Sequence, residues 1–232
     1  MNSRAHFKMK GYIPSCLPKS GAISAILNWP LNKAGANSAV LAMLVAGCAA
    51  LQPPRMESPA LYLLDARPAA TAKRPQRDLV LAVNPPTARP GFDTPQIAYV
   101  RQPHKLDFYV KNRWADTPSR MLAPLLAQAL EQDGSFRAVV RTTNPVPADL
   151  RLDTELIRLQ HDFTTQPSRV KLTLRAQLYD VKGKKVLAVR EFDAAESAPS
   201  EDAYGGVIAA NRALERVLAQ LTDFCAAESG TR

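Results

Sequence analysis

The chain has 232 residues, of which 46% are apolar and 22% charged, a composition typical of a folded protein rather than a disordered one. Its net charge of +9 would suit a nucleic-acid-binding protein, but residues 1–47 contribute five basic residues and no acidic one. The remainder, with 25 basic and 21 acidic residues, has a net charge of only +4. Without a run of basic residues interleaved with aromatic ones, we exclude a nucleic-acid partner. Three cysteines without zinc-ligand spacing exclude a disulfide framework.

The N-terminal segment has the three parts of a secretory signal. A basic stretch ends at Lys33, an apolar run spans 39–46, and small residues precede Cys48. Eight apolar residues form about 12 Å of helix, against a hydrocarbon core of roughly 30 Å, so the run is too short to span a membrane. We therefore expect residues 1–47 to be a signal peptide.

The end of this segment distinguishes a lipoprotein signal from an ordinary one. Residues 45–48, Val-Ala-Gly-Cys, resemble the bacterial lipobox. The resemblance implies cleavage between Gly47 and Cys48 and a lipid on the Cys48 thiol. Ala49 occupies the position where Asp favours inner-membrane retention, which implies an outer-membrane anchor facing the periplasm. A buried cysteine in a short core helix and a non-lipidated signal with a chance cysteine are the alternatives.

Residues 48–60 contain three prolines and predict an extended tether, whose twelve intervening residues reach at most about 40 Å. Strands are then predicted over 61–66 and 78–86, followed by a hairpin over 96–114 that turns at 102–105. The next segment is a helix, with Thr117 as its N-cap and Pro118 at its first position. Because an interior proline costs about 3 kcal/mol, Pro124 predicts a helix that starts near Ala123 or is kinked.

The second half repeats this plan. Strands are predicted over 136–142, 149–163, 169–181 and 185–194. In the second of these, the apolar residues change parity at Leu156 and Ile157, which predicts a β-bulge.

A last helix is predicted to start near Ser200 as N-cap, with Glu201 and Asp202 in its first turn. Gly205-Gly206 either weakens that turn or allows close packing against a neighbour.

Two runs of strands, each closed by a helix, predict an α/β (α+β) sandwich. We expect a mixed, mostly antiparallel sheet with two helices packed on one face. No long linker interrupts the elements, so we predict a single domain over 61–226 and a tail over 227–232.

The sequence contains no catalytic motif, metal-ligand cluster or cofactor-binding fingerprint that we recognise. His104 lies in a predicted turn and is expected to be solvated. His161 precedes Asp162, but adjacent strand residues point to opposite faces, so this pair does not predict a catalytic base. Cys225 lies on the apolar face of the last helix and is expected to be a core thiol. We therefore predict no catalytic residue, metal or cofactor.

Arg113 and Trp114 form the one pair that has two interpretations. The tryptophan either caps the core at the junction of strand and helix, or forms with Arg113 an edge at which a partner docks.

Residues 90–130 resemble the ABC-type transport auxiliary lipoproteins, the PqiC-like family. The similarity lies in Tyr62 and Leu64 soon after the lipobox cysteine, the sequence PQIAYV, and an aromatic strand that ends in Arg-Trp-Ala at 113–115 before a helix. The order of elements matches over most of 60–225.

The resemblance implies a periplasm-facing lipoprotein of the Gram-negative envelope that serves an MCE-type ABC system moving phospholipid or other lipid between the membranes. Its implied partners are an MCE-domain protein, a permease, an ATPase and the outer membrane. The resemblance does not decide whether the protein forms a homo-oligomer. By this resemblance, the protein acts by binding its partner proteins and performs no catalysis; binding of lipid is a further function that the resemblance allows. A lipid-anchored hydrolase and an outer-membrane assembly lipoprotein are the alternatives.

Overall fold

The computed structural model describes residues 58–66, 74–142 and 147–230. Five strands precede the first described helix, one more than predicted because Thr87–Ala88 also forms a short strand, and four strands lie between the two helices, as predicted. The strands are β1 (Ala60–Tyr62), β2 (Arg77–Val83), β3 (Thr87–Ala88), β4 (Gln96–Gln102), β5 (Lys105–Trp114), β6 (Phe136–Arg141), β7 (Leu150–Asp162), β8 (Arg169–Asp180) and β9 (Lys185–Ser197). The helices are α1 (Pro118–Asp133) and α2 (Ala203–Glu228).

Strand β7 organises the sheet. One of its edges pairs with β8 along nearly its whole length, and β8 pairs with β9, both antiparallel. Its other edge pairs in parallel with β2, β3 and β4 in turn. Strand β2 carries β6, whereas β4 carries β5 and then β1 at the far edge. Within the described ranges, five strand pairs are parallel and three antiparallel, and the two longest ladders are antiparallel.

The two helices pack against this mixed sheet and against each other, which confirms the predicted fold class. Helix α1 contacts β6 and β3, and α2 contacts β8 and β9. Leucine dominates the core between helices and sheet, where Leu81, Leu126, Leu174 and Leu214 have no exposed surface. None of the helices in the described ranges is long and apolar enough to cross a membrane.

The predicted β-bulge in β7 is confirmed. Leu156 lies opposite Leu174 of β8, and Arg158 lies opposite the adjacent Thr173, so Ile157 is the extra residue. The bulge resets which face is inward, and Leu156 and Leu159 are therefore both buried although they have opposite parity.

Helix α1 begins at Pro118 and continues through Pro124, so the first of the two predicted alternatives, a start near Ala123, is wrong. The proline removes one intrahelical hydrogen bond, but Leu122 and Leu126 on either side of it are completely buried. Burying such side chains gains about 1.5–3 kcal/mol each, which offsets the cost of the proline. The helix ends at Gly134, whose φ of 74° is left-handed.

Helix α2 begins at Ala203, three residues later than Ser200, and its N-cap is Asp202. The Asp202 carboxylate accepts the Gly205 N–H at 2.7 Å, whereas the Ser200 hydroxyl donates to Asp202 at 2.8 Å. The prediction of Ser200 as the N-cap is therefore wrong. The helix continues to Glu228, beyond the expected end of the domain at 226.

Candidate functional site

The two residues of the Arg113-Trp114 pair lie in different environments. Trp114 ends β5, where it is 3% exposed and lies in register with Tyr62 of β1. Its backbone N–H donates to the carbonyl of Pro95 at 2.7 Å. Its indole therefore belongs to the core and offers a partner almost no surface. Arg113 is exposed and lies in register with Leu61 on one side and Gln96 on the other.

Strand β1 and the residue that follows it bring apolar side chains to the surface at this edge of the sheet. Leu61 and Leu63 are 63% and 57% exposed, although Leu64 beside them is buried. The Tyr62 hydroxyl donates to Asn112 at 3.1 Å, and its ring centroid lies 6.2 Å from that of Tyr204.

Tyr204, in the first turn of α2, is itself 59% exposed. Its ring contacts Tyr62, which shares a face of the sheet with Trp114 and the last helix, whereas Leu61 and Arg113 are in register on the opposite face of the same edge. We call Leu61, Leu63, Arg113 and Tyr204 the β1 surface.

A side chain of α2 holds the chain that follows β1. The Asn211 amide nitrogen donates to the Leu63 carbonyl at 3.2 Å, and its oxygen accepts the Asp65 N–H at 2.9 Å. Asn211 thus supplies the donor and acceptor that a neighbouring strand would supply. The exposed leucines are consequently held in a defined position, although β1 itself has only three residues.

A groove of about 510 Å³ runs beside this segment. Leu63 and Asp65 line one side of it, and Met121, Pro124 and Leu125 of α1 line the other. Because Leu63 belongs to both, the groove adjoins the β1 surface.

A second polar feature lies inside the domain at the other end of β4. The His161 ring is 2% exposed and makes hydrogen bonds through both nitrogens. Its Nδ1 lies 3.1 Å from the Tyr109 hydroxyl, and its Nε2 lies 2.8 Å from the Ser168 hydroxyl. Glu201 in turn accepts the Ser168 backbone N–H at 2.9 Å and also interacts with the serine side chain.

One arrangement of hydrogens satisfies every atom of this network. Tyr109 donates to Nδ1 of His161, Nε2–H of His161 donates to Ser168, and the Ser168 hydroxyl donates to Glu201. The imidazole is then neutral, in agreement with burial that lowers the pKa of His161 against the opposing charges of Glu201 and Asp202. Burial likewise raises the pKa of Tyr109 to about 12, so this group remains a donor.

A serine, a histidine and a carboxylate in series are also the groups that many hydrolases use, but the geometry closes this site. Ser168 has no exposed surface. The cavity beside His161 has a volume of about 10 Å³, enough for one water molecule at most. A Cβ atom on Gly206 would lie 2.6 Å from Nδ1 of His161, so the backbone of α2 packs directly against the ring and leaves no space on that side. The network therefore holds elements together and leaves no room for a substrate.

The other residues considered from the sequence form no site in the described part of the chain. Asp162 pairs with Lys171 and Thr164, so it does not orient His161, in agreement with the strand-parity argument. His104 is exposed in the β4–β5 turn. Cys225 is completely buried, as expected, and burial raises the pKa of its thiol. Gly47 and Cys48 lie outside the described residues.

Metal ligation has no support in the described part of the chain, where no three His, Cys, Asp or Glu side chains come together as a metal-binding group. The His161 network escaped the sequence analysis because Tyr109, His161, Ser168 and Glu201 come from separate elements. The only local signal was Gly205-Gly206, which predicted close packing of α2 against a neighbour.

The fold and the β1 surface define an α+β domain with an exposed apolar edge and, in its described part, a closed polar interior. Comparison with known families makes this class specific. The family model of the ABC-type transport auxiliary lipoprotein component matches residues 62–222, and the chain belongs to this family. It is thus an auxiliary lipoprotein component of ABC-type transport, within a lipid-anchored class of envelope proteins.

Solved structures agree with this assignment. Protein XCC0632 from Xanthomonas campestris, described as a member of family DUF330, is 25% identical, covers 74% of this chain over 98% of its own, and superposes with a TM-score of 0.68. An uncharacterized protein that is 14% identical covers 73% of this chain over 99% of its own with a TM-score of 0.58, which supports the fold alone. None of the curated proteins matches the sequence.

Proposed function

We propose that the mature protein is held in the outer membrane by a lipid on Cys48, faces the periplasm and serves an MCE-type ABC system that moves phospholipid or other lipid between the two membranes. It acts by binding the MCE-domain protein of that system, together with its permease and ATPase, and performs no catalysis. The observation that carries the proposal is the family match, which begins at residue 62, only 14 residues after the lipobox cysteine.

The interior of the domain supports binding over chemistry. The lipid-anchored hydrolase would need an accessible cluster of histidine and acidic groups, and the cluster that exists, around His161, is closed by α2. Open grooves lie elsewhere in the described residues, of about 510 Å³ between α1 and the segment after β1, about 560 Å³ at the ends of β2 and β6, and about 700 Å³ beside β3 and the start of α1. Such grooves are accessible to another macromolecule, whereas the His161 cluster is not.

The anchor is tested by intact-mass analysis of protein extracted from membranes. We expect a chain that begins at Cys48 and carries the added mass of a diacylglyceryl group and an N-terminal acyl group. Cys48→Ser should lack this mass and leave the membrane fraction. An unmodified N-terminus at Cys48 would contradict the anchor.

The partner is tested by purification of the lipidated protein from native membranes in mild detergent. We expect the MCE-domain protein to co-purify, and deletion of the gene to weaken the outer-membrane barrier to detergents. If neither occurs, the proposal fails. The neighbouring genes distinguish the assembly-lipoprotein alternative, because an export-barrel gene in place of ATPase, permease and MCE genes would favour it.

A further inference from the structure

Large apolar side chains are exposed at two places in the described part of the domain. One group lies on β1 and the residue that follows it, on β5 and at the start of α2, and the other on the β8–β9 hairpin. The first consists of Leu61, Leu63, Val110 and Tyr204, and the second of Val181, Val186 and Val189. The two groups lie at opposite ends of the strand path β1-β5-β4-β7-β8-β9. Neighbouring strands are about 4.8 Å apart, and five such steps separate β1 from β9. The two groups therefore face different surroundings.

We propose that the β1 surface meets the lipid bilayer that carries the anchor edge-on, so that Leu61 and Arg113 from one face of the sheet and Tyr204 from the other both reach it. The apolar side chains then lie in the interfacial region and Arg113 lies at the level of the phosphates. The inference rests on the proposed lipidation of Cys48.

The anchor directs this surface, and not the β8–β9 hairpin, towards the membrane. The tether from Cys48 reaches at most about 40 Å and enters the domain directly at β1. The β1 surface is therefore the first described part of the domain to approach the lipid. The valines of the hairpin follow more than a hundred residues later, at the far edge of the sheet.

The chemistry of the surface suits a bilayer. Transfer of exposed leucine side chains from water to the boundary between lipid headgroups and acyl chains lowers the free energy. Tyrosine is typical of the interfacial region because its ring is apolar and its hydroxyl polar. Arg113 lies in register beside Leu61 and is exposed, so its guanidinium is placed to bind a lipid phosphate while the leucine enters the apolar layer.

The surface is also fixed before it meets a membrane. Strand β1 pairs with β5, the Tyr62 ring contacts Tyr204, and Asn211 binds both sides of the segment that follows Leu63. Little conformational entropy is then lost on docking, which favours contact with lipid.

The cysteines of the chain allow a direct test in the full lipidated protein. Cys16 leaves with the expected signal peptide, the Cys48 thiol is consumed by its lipid, and Cys225 is completely buried with a raised thiol pKa, so none of the three reacts with a thiol dye. A cysteine introduced at an exposed position is then the single labelled site.

Four variants are labelled with a fluorophore and reconstituted in vesicles of phosphatidylethanolamine and phosphatidylglycerol that contain nitroxide-labelled lipid. Leu61→Cys and Tyr204→Cys report on the β1 surface, and Val186→Cys and Val189→Cys are matched controls of similar exposure on β9. We expect the nitroxide to quench the first two labels several-fold more than the last two.

Each other result overturns the inference in a recognisable way. Equal quenching at all four positions means that the domain has no preferred face. Absence of quenching in protein that floats with the vesicles means that the domain stands away from the bilayer. A Leu61→Cys label that is shielded in detergent and unquenched in vesicles means that residues 49–57 cover the surface. Protein that does not float at all removes the anchor and with it the proposed function.

A second set of variants tests the residues themselves. In the Tyr204→Cys background, Leu61→Ser with Leu63→Ser should reduce quenching to the level of the β9 controls, whereas Val186→Ser should not change it. Arg113→Glu should reduce quenching in vesicles with phosphatidylglycerol more than in vesicles of phosphatidylcholine. Unchanged quenching in the folded leucine variant, verified by circular dichroism, would contradict the inference.

Discussion

At the scale of single residues, the hydrogen bonds that matter most join segments far apart in the chain. Asn211 of α2 binds the backbone of Leu63 and Asp65, which lie almost 150 residues earlier. His161 joins β7 to β5 through Tyr109 and to the loop before β8 through Ser168. Such contacts follow no local pattern, so the sequence predicts neither.

Asn211→Ala should destabilise the protein by about 1 kcal/mol, because two hydrogen bonds to the segment after β1 and one to the Val207 carbonyl are lost, while alanine gains a little helix propensity. Urea unfolding measures the loss, and hydrogen exchange localises it: the Asp65 amide should exchange faster and the Trp114 amide should not. Gln220→Ala, at an exposed position of the same helix, is the control. Unchanged exchange at Asp65 would mean that Asn211 does not hold this segment.

His161 predicts a pH dependence of stability. Burial lowers its pKa in the folded state below the usual 6.5, so the unfolded chain binds this proton more readily. The contribution to stability is therefore complete above about pH 6.5 and is lost as the pH falls from there towards the folded-state pKa. The opposing charges of Glu201, Asp202 and Asp162 reduce this loss without reversing it.

Urea unfolding at about pH 7.5 and about pH 5.5 measures this effect. His161→Gln keeps a donor and an acceptor but cannot titrate, so the difference in stability between the two pH values should shrink. His104→Gln, in the exposed β4–β5 turn, is the matched control for the loss of a histidine. An equal pH dependence in wild type and His161→Gln would show that another group is responsible.

At the scale of elements, the apolar periodicity of the sequence predicts those features that burial of side chains determines. It does not predict element boundaries that are determined by contacts with distant residues. The parity change at Leu156 and Ile157 locates the bulge to the residue, because only an extra residue keeps both apolar sets inward. Strand β1 is shorter than predicted, Ala60–Tyr62 instead of 61–66, because the next residues bind the Asn211 side chain and not a strand.

The start of α2 illustrates the same limit. Ser200 and Asp202 are both good N-caps, and nothing local separates them. The structure places Glu201 on the Ser168 backbone, which keeps this residue outside the helix and leaves Asp202 to cap it. A contact with a loop more than thirty residues away thus fixes the boundary.

Two alanine variants test this assignment of the cap. Asp202→Ala should destabilise the protein by about 1 kcal/mol, the usual cost of a lost N-cap, because the Gly205 N–H loses its acceptor. Ser200→Ala should cost only a few tenths, since its hydroxyl only supports Asp202. Thermal melts followed by circular dichroism compare the two, and a larger loss for Ser200→Ala would restore Ser200 as the cap.

At the scale of the whole molecule, β7 joins branches of the sheet that would otherwise be separate, among them the β2–β6 branch and the β8–β9 branch. Helix α1 packs on the β6 branch, and α2 packs on β8 and β9. Both branches hydrogen-bond to opposite edges of the same strand, and the helices touch each other. We therefore expect both branches and their helices to unfold in one cooperative transition, as a single domain.

Core truncations in the two helices test this cooperativity. Leu126→Ala in α1 and Leu218→Ala in α2 each remove a completely buried side chain, at a cost of about 2–5 kcal/mol. In a domain of this size, each should lower the midpoint of the same calorimetric transition by roughly 5–15 °C. Leu125→Ala, at a half-buried position of α1, should lower it less. Two resolved transitions, one sensitive to each helix, would mean that β7 does not couple the branches.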